Sequence, residues 1–368
     1  MAAKYRVAII GSTGRGDYGH LIDTCWLGQA QAEIVAVADD NPEGLKNAAE
    51  RLKVKATYAD YREMLAKEKP QIVSIAPRWL DQHRDIALAC AEHGCHVFME
   101  KPFVRTLEEA DQVVEAFERK HLKLALAHQT RYSPTVAMAK QLIDNGELGT
   151  ILEMRGRGKE DARGGGEDLW VLGCHVFDLM RLLAGDPSHC YGRLLTGDKP
   201  LVRADVRPGN EGIGPLGGDR VDAMFQFPKG ICGYFSTQRR ADGKPSRFGL
   251  TVYGTKGVLE IETGFIKSVK FLPDSSWSPG RSKVAWAPVS SQGISKPETA
   301  KADPYNGNTL ILDDLLVAIE KDRQPHESMY DGRWTIEMIM GIFESHRTGG
   351  AVELPLKTRQ KHPLAELA

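Results

Sequence analysis

The sequence has no long uncharged apolar run, no paired cysteine spacing and no surplus of either charge, and each shortage removes a class of protein. Without a run of about 20 apolar residues, no membrane-spanning helix is expected. The first residues enter a strand pattern almost at once and show no signal-peptide pattern, so a cytoplasmic protein is expected. The six cysteines, Cys25, Cys90, Cys95, Cys174, Cys190 and Cys232, are scattered and include no C-x-x-C pair or metal-knuckle spacing. Reduced, partly buried thiols follow, not a disulfide framework. With 48 basic and 49 acidic side chains the net charge is -1, which leaves no electrostatic footprint for nucleic acid or an anionic membrane. Small neutral or weakly charged substrates fit that balance. No internal repeat or low-complexity tract is present.

What is there is an ordinary soluble composition, 42% hydrophobic and 26% charged, on a chain of 368 residues. That length predicts two domains. The first begins with the β-rich run Tyr5 to Ile10, which stops at a loop with glycines at 11, 14, 16 and 19. A strand feeding a glycine-rich turn and then a helix would offer backbone N–H groups and a positive helix end to a pyrophosphate. The spacing departs from G-x-G-x-x-G, and a tight turn without a ligand is the alternative reading. A second run, Ile34 to Ala38, ends at Asp39, where a dinucleotide-binding unit hydrogen-bonds the adenosine ribose. Asp39-Asp40 would repel a 2′-phosphate, so NAD is expected over NADP; a helix cap is a compatible role. Helices over Pro42 to Leu52 and Tyr61 to Lys67, the buried run Ile72 to Ala76 and a helix from Arg84 to His93 continue the alternation. This predicts a doubly wound parallel sheet.

The run His96-Val97-Phe98-Met99 ends abruptly at Glu100-Lys101-Pro102-Phe103. In an open α/β sheet ligands sit at the carboxyl ends of strands, and a lysine there could reach a reacting oxygen. Helix Leu107 to Lys120, strand Leu122 to Ala127 and the stretch His128 to Arg131 complete the first domain, expected over 1–130. The second, over 131–368, is expected to be an α+β domain for substrate binding and oligomerisation. Its short runs Asp219 to Phe227, Ile231 to Thr237, Phe248 to Gly254, Val258 to Glu262 and Ser268 to Leu272 predict a large, open, mostly antiparallel sheet. Segments 188–218 and 273–306, rich in Gly, Pro and Ser, read as loops. Helices over 309–320 and 331–346 and an edge strand at Ala351 to Pro355 close the chain.

The order of the glycine-rich loop, Val-Ala-Val-Ala-Asp39, Ile75-Ala76-Pro77, Glu100-Lys101-Pro102 and His128-Gln129-Thr130-Arg131 resembles the glucose-fructose oxidoreductase / inositol dehydrogenase family. The resemblance implies an NAD-dependent oxidoreductase acting on CH–OH groups. Its cofactor would meet Gly11, Ser12, Thr13, Gly14, Arg15, Gly16, Asp39, Ala76, Pro77, Trp79, His83, Glu100, Lys101 and Gln129. It also implies that Lys101 contacts the reacting hydroxyl or the nicotinamide side, that His175 serves in proton transfer, and that the chain forms a homodimer or homotetramer. Relatives carry an aspartate four residues before that histidine, where this chain has Val171.

On a helix, His175 and Asp178 share a face, so Asp178 could orient the histidine or be a plain helix-face carboxylate. Arg131, Glu167, Asp168 and Trp170 are the candidate substrate contacts; the tryptophan reads equally as core. A divalent metal held by some of Glu160, Glu167, Asp168 and His175 is a second reading, but one histidine with mobile acids is poor ligand spacing and no metal is expected. The leading expectation is hydride transfer at a secondary hydroxyl of a sugar, inositol or glycoside. The alternatives are a redox-neutral glycoside hydrolase or lyase working through a transient keto-sugar, and a non-catalytic dinucleotide-binding protein.

Overall fold

The computed structural model describes residues 4–240, 248–263, 268–299 and 306–367. Contacts divide the chain into two compact units. One comprises Met1–Gln129, Asn210–Gly214 and Tyr305–Ile336; the other holds Thr130–Gly209, Pro215–Pro304 and Glu337–Ala368. Two segments expected in the second domain, one short and one that includes the helix Asn306–Glu320, thus pack with the first.

In the first unit, strands β1 (Tyr5–Ile10), β2 (Ala32–Ala38), β3 (Ala56–Tyr58), β4 (Ile72–Ile75), β5 (His96–Met99) and β6 (Leu124–Leu126) form a parallel sheet in the order β3-β2-β1-β4-β5-β6. β-Branched residues dominate β1 and β4 because both faces are covered: Val7, Ala8, Ile9, Ile72, Val73 and Ile75 are fully buried. The crossover helices are α1 (Pro42–Leu52), α2 (Tyr61–Glu68), α3 (His83–Glu92) and α4 (Leu107–Arg119). α1 opens with a side-chain cap from Asn41 and a proline in its first turn, and α4 opens with a cap from Thr106. The strand order reverses direction between β1 and β4, which puts the ligand crevice of such a sheet outside their carboxyl ends.

One expectation fails here. No α-helix follows the glycine-rich loop; residues 11–31 run through turns with a single 3₁₀ turn at Thr24–Trp26. Gly14, Gly16, Gly19 and Gly28, with Asp17 and Leu21, take positive φ, a backbone that a right-handed helix cannot contain. A helix dipole therefore contributes nothing at this loop.

The second unit is built on a sheet that has eleven strands among the described residues. Its strands include Ile151–Arg157, His189–Thr196, Arg220–Gln226, Cys232–Gln238, Gly249–Gly254, Val258–Glu262 and Val269–Leu272. Only the Ile151–Arg157 and Cys232–Gln238 pair is parallel within it. The segment 188–218, expected as loop, contributes the eight-residue strand His189–Thr196, whose alternating burial one covered face explains. Segment 273–306 carries the strand Ala287–Ser290, and its residues 300–305 lie outside the described ones.

Helix Cys174–Ala184 covers one sheet face, with Phe177 packed 4.7 Å from Phe235 and 5.7 Å from Phe225, centroid to centroid. Gly156 makes the close approach possible, since a Cβ there would lie 2.5 Å from Val176. On the other face Tyr191, Met224 and Tyr234 stand in one cross-strand row, 46%, 40% and 39% exposed.

Asp168 lies beneath this sheet's loops. Its side chain was expected to contact substrate, but it is fully buried: Oδ2 accepts from the Thr237 hydroxyl at 2.5 Å and the Glu160 amide at 3.3 Å, and Oδ1 has no partner. Burial outweighs the Thr237 hydrogen bond and pushes the carboxyl up to about 6. Because the folded value exceeds the unfolded one, the stability this group contributes is complete below about pH 4 and is lost as pH rises through about 6. The loss is on the order of 3 kcal/mol. Asp168→Asn should remove it, so that thermal melts of variant and wild type diverge in the variant's favour between about pH 4 and pH 6 and keep a constant gap above that. Parallel profiles would refute the assignment.

Candidate functional site

The loop after β1 is a folded-back turn. Ser12 and Asp17 exchange backbone hydrogen bonds of 3.1 Å, the Arg15 amide donates to the Ser12 carbonyl at 3.0 Å, and the Gly14 amide donates to Asp17 Oδ1 at 2.9 Å. The Thr13 amide lies 3.1 and 3.2 Å from the two Asp39 oxygens, its hydroxyl donates to Oδ2 at 2.7 Å, and the Asn41 amide donates to Oδ1 at 3.0 Å. Tyr18 packs its ring on Gly11, where a Cβ would lie 2.3 Å away. Burial, and then the Asp39 carboxylate, push the Tyr18 phenol up.

The loop after β4 meets this turn. The Arg15 guanidinium pairs with Asp81 and lies 4.7 Å over the Trp79 ring, while Gly16 leaves no room for a Cβ against the Arg78 backbone at 2.5 Å. The expected cofactor residues Gly11 to Gly16, Ala76, Pro77 and Trp79 therefore cluster at the switch point between β1 and β4. His83 was expected beside the cofactor. It is fully buried, with Nε2 2.7 Å from the Pro77 carbonyl and Nδ1 3.0 Å from the carbonyls of Pro102 and Phe103. Both ring nitrogens face backbone, so His83 braces the ends of β4 and β5.

Glu100 and Lys101 end β5 and are both buried. Glu100 Oε1 lies 3.0 Å from His20 Nδ1, and Oε2 accepts the His20 amide at 3.2 Å. Burial opposes its ionisation, but the His20 imidazole and the Lys101 ammonium together hold the carboxyl below the usual range. His20 went unnoticed in the sequence because nothing local marks a partner 80 positions away. The same holds for Glu327, which lies 2.7 Å from His128 Nδ1, both wholly buried. Gln129 packs against Gly307.

In the second unit, His175 is the second residue of helix Cys174–Ala184 and half-buried. The turn before it, Leu169–Gly173, is π-helical, so backbone pairing there runs five residues and not four. Val171 sits in that wide turn. Both oxygens of Asp178 are taken by the Arg131 guanidinium, so the structure gives Asp178 an arginine as its charged partner. Trp170 has no exposed surface and belongs to the core, which removes it as a platform for a sugar ring. Glu167 is buried, and Glu160 is salt-bridged to Arg157 at 2.5 Å.

These residues suit a dinucleotide. The buried Ser12 hydroxyl, in the loop that would face phosphate, has no hydrogen-bond partner, and Asp39 presents a carboxylate at the end of β2.

Comparison with known proteins agrees. A model of the oxidoreductase family with an NAD-binding Rossmann fold matches residues 5–128, and a GFO/IDH/MocA C-terminal domain model matches residues 136–260. Levoglucosan dehydrogenase of Pseudarthrobacter phenanthrenivorans is 29% identical over 360 residues, covering 90% of this chain and 92% of that protein. D-apiose dehydrogenase of Paraburkholderia graminis is 25% identical over 367 residues, covering 95% and 90%. The solved structure of a levoglucosan dehydrogenase in complex with NADH and levoglucosan shares the fold, with a TM-score of 0.78 at 24% identity over 96% of this chain and all of that one. No helix among the described residues is long and apolar enough to cross a membrane. The two family models, one on each side of residue 130, and the sheet order with its acid-terminated second strand make this chain a member of the GFO/IDH/MocA oxidoreductases, an NAD-binding dehydrogenase of the sugar and polyol type.

Proposed function

We propose that the protein oxidises, or in reverse reduces, a secondary hydroxyl of a sugar, inositol or glycoside, with Lys101 and His175 as the residues that handle the reacting oxygen. The observation that carries this reading is the buried Glu100-Lys101 terminus of β5, where Lys101 follows a carboxylate that His20 helps hold below its usual range. When bound, the nicotinamide supplies the two-electron acceptor. Lys101 donates a hydrogen bond to the substrate oxygen and stabilises negative charge developing there. His175 takes the hydroxyl proton as general base and returns it in the reverse direction. Asp178 acts at one remove: it fixes the Arg131 guanidinium, the candidate contact to substrate oxygens, by a bidentate pair. Relatives named for levoglucosan, D-apiose, myo-inositol and D-glucosides support a cyclic polyhydroxy substrate. The six free thiols accord with a reducing, cytoplasmic compartment. The exposed row Tyr191, Met224 and Tyr234 supports self-association through the open sheet face.

Lys101→Ala should cut turnover by roughly 10²-fold to 10⁴-fold while NADH still binds in a fluorescence titration; undiminished turnover would remove the lysine from the chemistry. One NADH should accumulate per product molecule. Product formed without NADH would instead select the redox-neutral hydrolase or lyase. Met224→Arg should lower the mass measured by light scattering, and an unchanged mass would reject the sheet-face assembly.

A further inference from the structure

Gly44 is out of place by local rules. It stands in the first turn of α1, where glycine is a poor helix former and the φ is not in the left-handed region. Space explains it: a Cβ on Gly44 would lie 1.9 Å from Thr13 Oγ1, 2.5 Å from Thr13 Cβ and 3.0 Å from Thr13 Cγ2. Rotating the threonine cannot relieve a clash with its own Cβ, so the loop itself would have to move.

Thr13 occupies the place where the dinucleotide fingerprint carries its second glycine, the one that lets backbone approach the pyrophosphate. Here the side chain is folded against the helix, into the notch that Gly44 leaves. From there its hydroxyl reaches Asp39 Oδ2 at 2.7 Å and its amide spans both Asp39 oxygens. Asn41 closes the ring, giving its amide to Asp39 Oδ1 at 3.0 Å and accepting the Gly44 amide at 2.9 Å. The Thr13 amide and hydroxyl and the Asn41 amide thus hold both carboxylate oxygens in one orientation at the end of β2.

We propose that Thr13 and Gly44 are a specificity-determining pair: the Gly44 notch seats Thr13, and Thr13 fixes Asp39 as an acceptor-only carboxylate that takes one ribose hydroxyl and rejects a 2′-phosphate. The proposal rests on the NAD reading above. Both residues are positioning residues acting through Asp39.

The test titrates the full-length protein with NADH and with NADPH, following nicotinamide fluorescence, with a melting curve for each variant. Wild type should prefer NADH. Gly44→Ala should weaken NADH binding by about tenfold or more, and Thr13→Gly in that background should recover most of it. Thr13→Val, which keeps the shape and loses the hydroxyl, should narrow the NADH-to-NADPH preference by about tenfold, whereas Thr13→Ser should retain it. A purely helical role for position 44 predicts the opposite, a higher melting temperature with binding intact. NADH binding by Gly44→Ala at wild-type strength, or an unchanged preference in Thr13→Val, would overturn the pair alone. Wild type that binds neither dinucleotide would overturn the cofactor reading and the pair with it.

Discussion

A carboxylate sealed from water must be matched from inside the protein, and Glu100 imposes that demand at the end of β5. His20 meets it with an amide and an imidazole, which obliges the chain after β1 to double back toward β5. Gly19 permits the return: a Cβ there would lie 2.6 Å from both Glu100 Oε2 and the Ala76 carbonyl. Asn308 then holds the His20 carbonyl at 2.7 Å. A regular helix after the loop could not deliver His20 to this point, so the turns, the Thr13 clasp on Asp39 and the Arg15 contact with Asp81 are parts of one solution.

The second unit applies the same rule to two buried acids with different results. Asp178 receives a guanidinium on both oxygens and gains a rigid, charge-assisted partner. Asp168 receives only a hydroxyl and an amide on one oxygen, and there burial prevails and raises the carboxyl to about 6. The two lie either side of the π-helical turn 169–173, which changes the register in which residues stack before His175. A spacing of four counted on a regular helix does not apply across that turn.

Much of the fold was legible because it is written in local patterns. The apolar runs ending at Ile10, Ala38, Ile75 and Met99 are strands, α1 spans the expected residues 42–52, and the five short runs between 219 and 272 are strands of one sheet. The strand His189–Thr196 was masked by its surroundings, since alternation that includes Gly192 and exposed His189, Tyr191 and Arg193 carries little apolar signal. The candidate site was legible by position and not by partner. Asp39, Glu100 and Lys101 were visible as strand-end residues, but the partners of Asp39 and Glu100 among Thr13 and His20 were not.

Residue order alone determined which segments would be strands and helices, and that an acid and a lysine would stand at strand ends, because periodicity and chain breakers act over a few neighbouring positions. Only the tertiary structure decided that the loop after β1 would coil without a helix, that His83 would brace backbone carbonyls, that Asp178 would pair with Arg131, and that Trp170 would vanish into the core. Those outcomes depend on burial, which prices every unpaired polar atom against partners brought from tens of residues away.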